Sequence, residues 1–551
     1  MPARKGAMKI EFDTAFDRGY PLYTRANAGE VFPEIVSPLA WSLVGPGAEA
    51  GFRRSFVNDF SAIRVPDQPW FMVGRFAGRF HLNMSVIRTV AQRLPGTSAA
   101  AADWQYFGDA AGRGMPSHSS GAADRLWALR AAPSALRTIA TLGRRVPAGT
   151  IAVDAVIAHN RAFLAARGSD APTAVALIAQ LRSLRQAYAA PFGLHVTNRA
   201  VTSSALTLAT AALRRRGVTD GAALMTLSHV PSLESAKPSQ ALRDIAETVP
   251  PGGVLAELVA SRVGLEELAC SPVPGAAELA ARLVEFLVDF GHRAVNEFDP
   301  TYPAWDQHPA AVLALLRTLL GDGREPAPTS AGEDQLDPVT AALVANARRA
   351  VYRAEITKND IIRFTHEMRR LVFALGDRLT GRLSREEMTL LTLDELAAVA
   401  GGDAPRREVM ARRRAELDAA AEVEPAVWSH GSLAVHQPAT ATGPDVIVGV
   451  PGSVGVATGR VRLCVDPLGE FKHGEVLVAK FTDTAWTPMF VASAAVVTDV
   501  GGVLSHATIV ARELGIPAVV DTRVGTVELS DGDLVEVDGG AGVVRVLERG
   551  A

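Results

Sequence analysis

A chain of 551 residues in which 48% of the side chains are hydrophobic is too long for a single core and long enough for about two to four domains. Its 56 basic and 59 acidic side chains nearly cancel, for a net charge of -3, which excludes a field suited to wrapping nucleic acid or coating an anionic membrane and favours small-molecule chemistry. The two cysteines, Cys270 and Cys464, stand far apart without a CxxC spacing, so neither a disulfide framework nor a structural zinc site is indicated.

The N-terminal stretch MPARKGAMKIEFD starts basic but turns acidic before any apolar run of signal-peptide length. No later run approaches the ~20 apolar residues of a membrane span, so a cytoplasmic location is expected. Residues 8–122 are irregular, with Pro, Gly, Trp and Phe between short periodic pieces; Glu30, Ser37 and Trp41 read as a helix start that packs an aromatic. From 124 to 320, Ala, Leu and Arg recur at helical spacing, as in AAELAARLVEFLVDF, which predicts a helical bundle. Just after that apolar helix, His292, Arg293, Glu297, Asp299 and Trp305 form a polar stretch. It either holds a hydroxyl acceptor, with His292 as general base and Arg293 meeting phosphate, or closes a helix end with ion pairs.

The segment GDGREPAPTSAGEDQLDP is loop composition. Helices resume near Val339 and run to Glu424; within them Arg353, Glu355 and Lys358 read as a solvated face or a phosphate patch, and His366 is expected to be exposed. Residues 425–444, PAVWSHGSLAVHQPATATGP, have little periodicity and read as a linker whose twenty residues extend to roughly 65–70 Å at most. Beyond them, Val- and Gly-rich runs separated by turns predict a compact domain of strands with one helix.

The stretch VVTDVGGVLSHATIVARELGIPAVV, residues 496–520, reads as strand, glycine turn, helix, strand. Gly501 and Gly502 let backbone approach a bulky anion. Ser505 is a plausible N-cap, which puts His506 in the first helical turn, where unpaired N–H groups and the dipole stabilise negative charge. An imidazole with an ordinary pKa of about 6.5 has a free lone pair near neutrality and is a usable nucleophile. Arg512 either neutralises phosphate or simply suits the helix C-terminus.

This segment resembles the phosphohistidine signature of phosphoenolpyruvate synthase, pyruvate phosphate dikinase and rifampin phosphotransferase: two glycines, a short turn, Ser, Thr or Cys, His, and an Ala-Arg-Glu-Leu-Gly-Ile-Pro-Ala-Val run. FTDTAWTPMF and PGSVGVATGRV upstream are similar to further motifs of that family, with Thr484 and Val454 where it has prolines. The resemblance implies that His506 accepts a phosphoryl group at one active site and delivers it at another after its domain swings, with Thr482 joining Gly501, Gly502, Ser505 and Arg512 around the phosphate. NAGEVFPEIVSPLAWSL, FGHRAVNEFDPTYPAWDQHP and YRAEITKNDIIRFTHEMRRLVFALGDRLTGRL resemble the substrate-binding domain of rifampin phosphotransferase. The implied fold is multidomain α+β: a mainly helical substrate domain at 1–424, a linker at 425–444, and a β/α swivelling domain at 445–551.

In single-chain members an ATP-grasp domain precedes the substrate domain; here the substrate motif starts at Asn27, and no GxxxxGK[ST] pattern occurs. The resemblance therefore implies that ATP and Mg2+ act on a separate ATP-grasp subunit, as in phenylphosphate synthase, with no metal on this chain. The expected activity is transfer of phosphate to a small hydroxyl-bearing molecule. A phosphohistidine-dependent condensing or ligating component and a non-catalytic binding protein are the alternatives.

Overall fold

The computed structural model describes residues 10–550, except segments 108–114, 118–120, 219–222, 224–225, 228–233, 321–335, 424, 436–444, 465–470, 483–485 and 503–504. Strand β1 (Leu22–Thr24) leads into α1 (Ala28–Val31) and α2 (Pro38–Arg53); β2 (Val73–Phe76), β3 (Arg79–Asn83), α3 (Met84–Arg93) and α4 (Ala99–Phe107) follow. Ser37 caps α2 by accepting the Ala40 amide at 3.2 Å, and Asn83 caps α3 by accepting that of Val86 at 3.1 Å. Trp41, buried on α2, packs on Trp70 and Phe80, as the helix-start reading expects.

The alanine-rich region forms α5 (Ala122–Ala165), α6 (Ala174–Ala187) and α7 (Ala189–Arg215). Then come α8 (Lys237–Ala246), α9 (Val254–Ala260), α10 (Leu265–Cys270), α11 (Ala276–Phe290) and α12 (Ala310–Leu319), a satellite with its own core around Leu242, Leu268, Leu283, Phe286 and Leu316. The spine of the molecule is α13 (Pro338–Arg378), 41 residues long. It starts where Asp337 accepts the amides of Val339 and Thr340 at 3.0 Å, with Pro338 at the first helical position, where its missing N–H costs nothing. Its Ile361, Phe364, Met368, Leu371 and Leu375, at three- and four-residue spacing, are buried in one core with Tyr188, Phe192 and Val196 of the α6–α7 region. Three short helices, α14 (Arg385–Thr389), α15 (Leu393–Ala400) and α16 (Arg407–Ala421), complete this body.

Two expectations are corrected here. His366 is buried on α13, its Nε2 at 3.1 Å from Asp306, because the charged helix turns that face toward the satellite. The expected linker is partly sheet: β4 (Trp428–His430) pairs antiparallel with β1, Leu22 opposite His430, and closes the four-stranded sheet β2-β3-β1-β4. Pro425 also bridges to Val435. Pairing with β1 and the neighbouring Pro21 and Arg25 thus holds the chain around β4, and of the expected linker residues 436–444 lie outside the described residues.

The C-terminal domain comprises β5 (Val446–Val448), β6 (Val450–Ser453), β7 (Val456–Cys464), β8 (Val476–Ala479), α17 (Thr487–Ala492), β9 (Ala495–Thr498), α18 (His506–Leu514), β10 (Ala518–Val520), α19 (Gly525–Glu528), β11 (Leu534–Asp538) and β12 (Val543–Glu548). Its eight-stranded sheet has the order β5-β12-β11-β7-β8-β9-β10-β6, with β7 to β10 parallel. Continuous apolar runs such as VLVA in β8 and AVVT in β9 are buried throughout, as strands covered on both faces require. The whole is a multidomain α+β fold, mainly helical before the C-terminal β/α domain and with one small sheet, β2-β3-β1-β4, among the N-terminal helices.

Candidate functional site

The carboxyl ends of parallel strands are where an open α/β sheet binds ligands. Here residues following β8 (Lys480, Phe481), β9 (Asp499 to Gly502) and β10 (Asp521, Arg523) line one cleft of about 330 Å³. Between β9 and β10 the chain makes the glycine turn and enters α18. Ser505 is the N-cap, accepting the Thr508 amide at 3.3 Å, while Thr508 Oγ1 donates to the Gly502 carbonyl at 2.8 Å and ties the turn to the helix. A side chain on Gly501 would meet Ser505 Oγ, Val520 Cβ and Thr498 Oγ1 at 3.2–3.3 Å, so the turn has no room for one. His506 is the first residue of α18; its side chain lies outside the described residues. The Asp499 carboxylate accepts from Thr522 Oγ1 at 2.8 Å, from the Thr526 amide at 3.2 Å and from the Thr526 hydroxyl, which locks the floor of the cleft. Asp521 pairs with Arg523 at 3.0 Å, and burial raises its carboxyl above the usual carboxylate range.

The opposite wall comes from the N-terminal body: Arg25, Asn27, Gly29, Pro33, Tyr106 and Phe107. A side chain on Gly502 would meet the Tyr106 carbonyl at 3.5 Å, and one on Gly29 would meet Val500 Cγ1 at 3.8 Å, so the glycine turn sits against this wall. Trp104 packs on the core of the C-terminal domain, and Val491 of α17 joins the core of the satellite. Asn27 adopts a left-handed φ of 65°, which asparagine tolerates better than most residues.

Behind that wall, Asn27 and Tyr106 also border a second space, a cavity of about 160 Å³ within the N-terminal body. Phe32, Phe52, Phe56, Phe80, Phe192 and Phe298 dominate its surface. Its polar groups are few, the usual make-up of a small-molecule site. Ser203 Oγ donates to Gln105 Oε1 at 2.7 Å, leaving that pair satisfied. Arg199 has no ion-pair or hydrogen-bond partner among the described residues. His195, one turn before it on α7, lines the cavity with its Nδ1 at 3.1 Å from Thr357 Oγ1 of α13. Burial, and then the positive charges of Arg199 and Lys358, depress its pKa to about 3, so the ring is neutral. Tyr106 is raised above its ordinary value by burial, which the nearby Arg199 opposes.

The residues singled out in the sequence are distributed unevenly over this geometry. Gly501 and Gly502 line the cleft and Ser505 caps the helix behind it. Thr482 is buried and off the cleft wall, and Arg512 lies in the last turn of α18, about 9 Å along the helix axis from His506. Burial pulls the Arg512 guanidinium down to about 10. The cations on the wall are instead Arg25, Lys480 and Arg523. His292, Arg293, Glu297, Asp299 and Trp305 line neither space. Arg293 and Glu297, both buried, pair at 3.0 Å; His292 Nε2 lies at 3.1 Å from Asn359 Oδ1; Asp299 accepts from the Thr301 amide and hydroxyl at 2.8 and 2.6 Å; Trp305 stacks on Phe286. Arg369 of α13 donates to the carbonyls of Glu297, Asp299 and Tyr302, so this stretch fastens the satellite to the spine. Of the two readings open at the sequence level, the geometry favours the ion-paired helix end.

Asn27, Tyr106, His195 and Arg199 were not singled out by sequence reasoning. The signal available was slight: His195 and Arg199 are polar residues four apart on a helix face that otherwise carries Phe192, Val196 and Ala200.

Two segments of the chain match models of known protein families. Residues 471–542 match the family model for the PEP-utilising enzyme mobile domain, and residues 195–374 match that for the rifampicin phosphotransferase fourth domain. The chain is 28% identical to a rifampicin phosphotransferase of Streptomyces sviceus over 365 residues, 60% of this chain and 42% of that protein. It is 28% identical to the prodigiosin synthesizing transferase PigC of Serratia marcescens over 294 residues, 48% of this chain and 33% of that one. A phosphoenolpyruvate synthase of Aeropyrum pernix is 50% identical over 105 residues, 18% of this chain and 13% of that protein. The chain thus spans less than half the length of each of these relatives.

Proposed function

We propose that this chain, which joins a PEP-utilising mobile domain to the fourth domain of rifampicin phosphotransferase, is a phosphotransferase component that carries phosphate on His506 and delivers it to a hydroxyl group in the phenylalanine-lined cavity. One observation carries this reading: the glycine turn before His506 and the apolar cavity meet at the same two residues, Asn27 and Tyr106. The glycine turn that leads into α18 lines a cleft bearing Arg25, Lys480 and Arg523, and Arg199 stands without a partner among the described residues in the space beyond. Transfer of a charge-dispersed phosphoryl group depends on positioning and on such cations. The cavity suits a largely apolar acceptor with one polar end.

ATP and Mg2+ are assigned to a separate ATP-grasp subunit that charges His506 in the cytoplasm, and the mobile domain swings between that subunit and the cavity. The test is incubation with labelled ATP, with and without a co-encoded ATP-grasp protein. Acid-labile label that His506→Ala abolishes is the expected result; no label from any donor sinks the reading. The similarity to PigC over 48% of the chain supports a second reading, in which phosphate only activates a substrate for condensation. Product analysis separates the two, because a stable phosphorylated organic product forms only in the first.

A further inference from the structure

We propose that His195 takes the proton from the acceptor hydroxyl, that Thr357 positions it for this task, and that the arriving phosphoryl group switches the base on. The inference rests on the reading of His506 and the apolar cavity given above.

The tautomer follows if Thr357 keeps its helix contact. Thr357 Oγ1 has two backbone carbonyls, those of Arg353 and Ala354, at 3.1 Å each, and its one proton is assigned to one of them. It then accepts from the His195 ring at 3.1 Å, which puts the proton on Nδ1, where the Ala354 carbonyl also draws on the ring, and the lone pair on Nε2. Thr357 is fully buried on α13, the most heavily packed helix of the body, so this contact is held by rigid structure on both sides. His195 and Arg199, one turn apart on α7, line the cavity together with Tyr106, and Tyr106 also lines the cleft that holds the glycine turn of the mobile domain. A hydroxyl placed between His195 and the mouth has a proton acceptor on one side and the phosphoryl donor on the other.

The charged groups around the ring explain the switching. Arg199 on its own helix and Lys358 on α13 face it, and no carboxylate is among the groups that act on it. With the mouth empty, burial and these two cations hold the ring neutral and a poor base. A docked phosphoryl group brings about two negative charges beside Arg199, offsets the cations and raises the proton affinity of Nε2 when it is needed. In the transfer step the acceptor oxygen attacks phosphorus, the P–N bond at His506 breaks with its electron pair returning to the imidazole, and the hydroxyl proton moves to His195 Nε2. As the phosphorylated product leaves, Arg199 and Lys358 again disfavour the imidazolium, and the proton passes to water.

Two measurements on the full chain test this. In ¹⁵N-histidine spectra, His195, assigned through His195→Gln, is expected as the Nδ1–H tautomer, unprotonated at pH 6; an Nε2–H tautomer or titration near 6.5 overturns the proposal. For transfer, His506 is charged with phosphoramidate and mixed with 2-(2-naphthyl)ethanol as an apolar alcohol probe. His195→Gln is expected to lower phosphomonoester formation by about 100-fold or more, with charging of His506 and fluorescence-detected probe binding unchanged. Thr357→Val, which keeps the side-chain shape, is expected to lower kcat and not KM and to shift the pH profile, and Thr357→Ser to restore both. Transfer by His195→Gln within about threefold of the wild-type rate overturns the assignment. If phosphoramidate leaves no acid-labile phosphate on His506, it is the parent reading that fails, and the spectra alone decide the tautomer.

Discussion

At the scale of single residues, buried polar groups record where the fold accepts a cost. His81 is fully buried in β3, with Nδ1 at 2.8 Å from the Arg79 carbonyl and the ring edge-on to Phe76. Burial, reinforced by Arg25, pulls its pKa down to about 3. Between that value and the ordinary 6.5 of an unfolded histidine, the unfolded chain binds a proton that the native one does not, so stability is full above pH 6.5 and falls as pH drops through the window. The loss is about 1.4 kcal/mol per pH unit for one such group, and His195 adds a second. Urea midpoints of wild type and His81→Leu, compared at pH 7.5 and 5.0, are expected to show the variant losing about 2 kcal/mol less on acidification. Neither burial was visible in the sequence: a lone histidine between Arg79 and Asn83 looks the same whether its strand is covered or not. His506, by contrast, was legible, because its turn needs two glycines, a cap and a helix start in fixed order along the chain.

At the scale of elements, α18 is held by one N-cap. Ser505 is buried, accepts from Thr508 and stands against the glycine turn, so Ser505→Ala removes a partner that water does not replace. The expected cost is about 1 kcal/mol, with faster hydrogen exchange at the amides of 507 and 508 and slower charging of His506; Ser505→Thr is expected to keep most of both. Recovered hydrogen-exchange protection in Ser505→Ala would show that the cap does not hold the turn. The same local logic makes the cap and the strand–turn–helix order readable from contiguous residues alone. The opposite case is β4. WSH is too short and too mixed to read as a strand, and it becomes one only because β1, some four hundred residues earlier, offers it an edge.

At the scale of the molecule, that pairing alters how far the mobile domain reaches. With β4 paired to β1, nine residues separate Val435 from Asp445, and nine residues reach at most roughly 30 Å rather than the 65–70 Å of the whole expected linker. The proposed swing is then a short rotation, or β4 must peel from β1. The contact between Gly29 and Val500 offers a lock. In a Cys270→Ser background, Gly29→Cys with Val500→Cys, joined by oxidation or a short bismaleimide, is expected to block charging of His506 by the donor subunit; reduction of the disulfide is expected to restore it. Full charging of the locked protein would mean that the cavity-facing arrangement is also the donor-facing one. By itself the sequence determined the helical and β/α segments and the strand, glycine turn and helix order around His506, because each is encoded in contiguous residues with a period or a motif. Only the tertiary structure decided which polar groups line the apolar cavity. His292 and Arg293 were spent on fastening the satellite, while His195, Arg199, Tyr106 and Asn27 converged from three separate stretches of chain. That convergence depends on how α4 and α7 and the turn before α1 pack together, which local spacing along the chain does not encode.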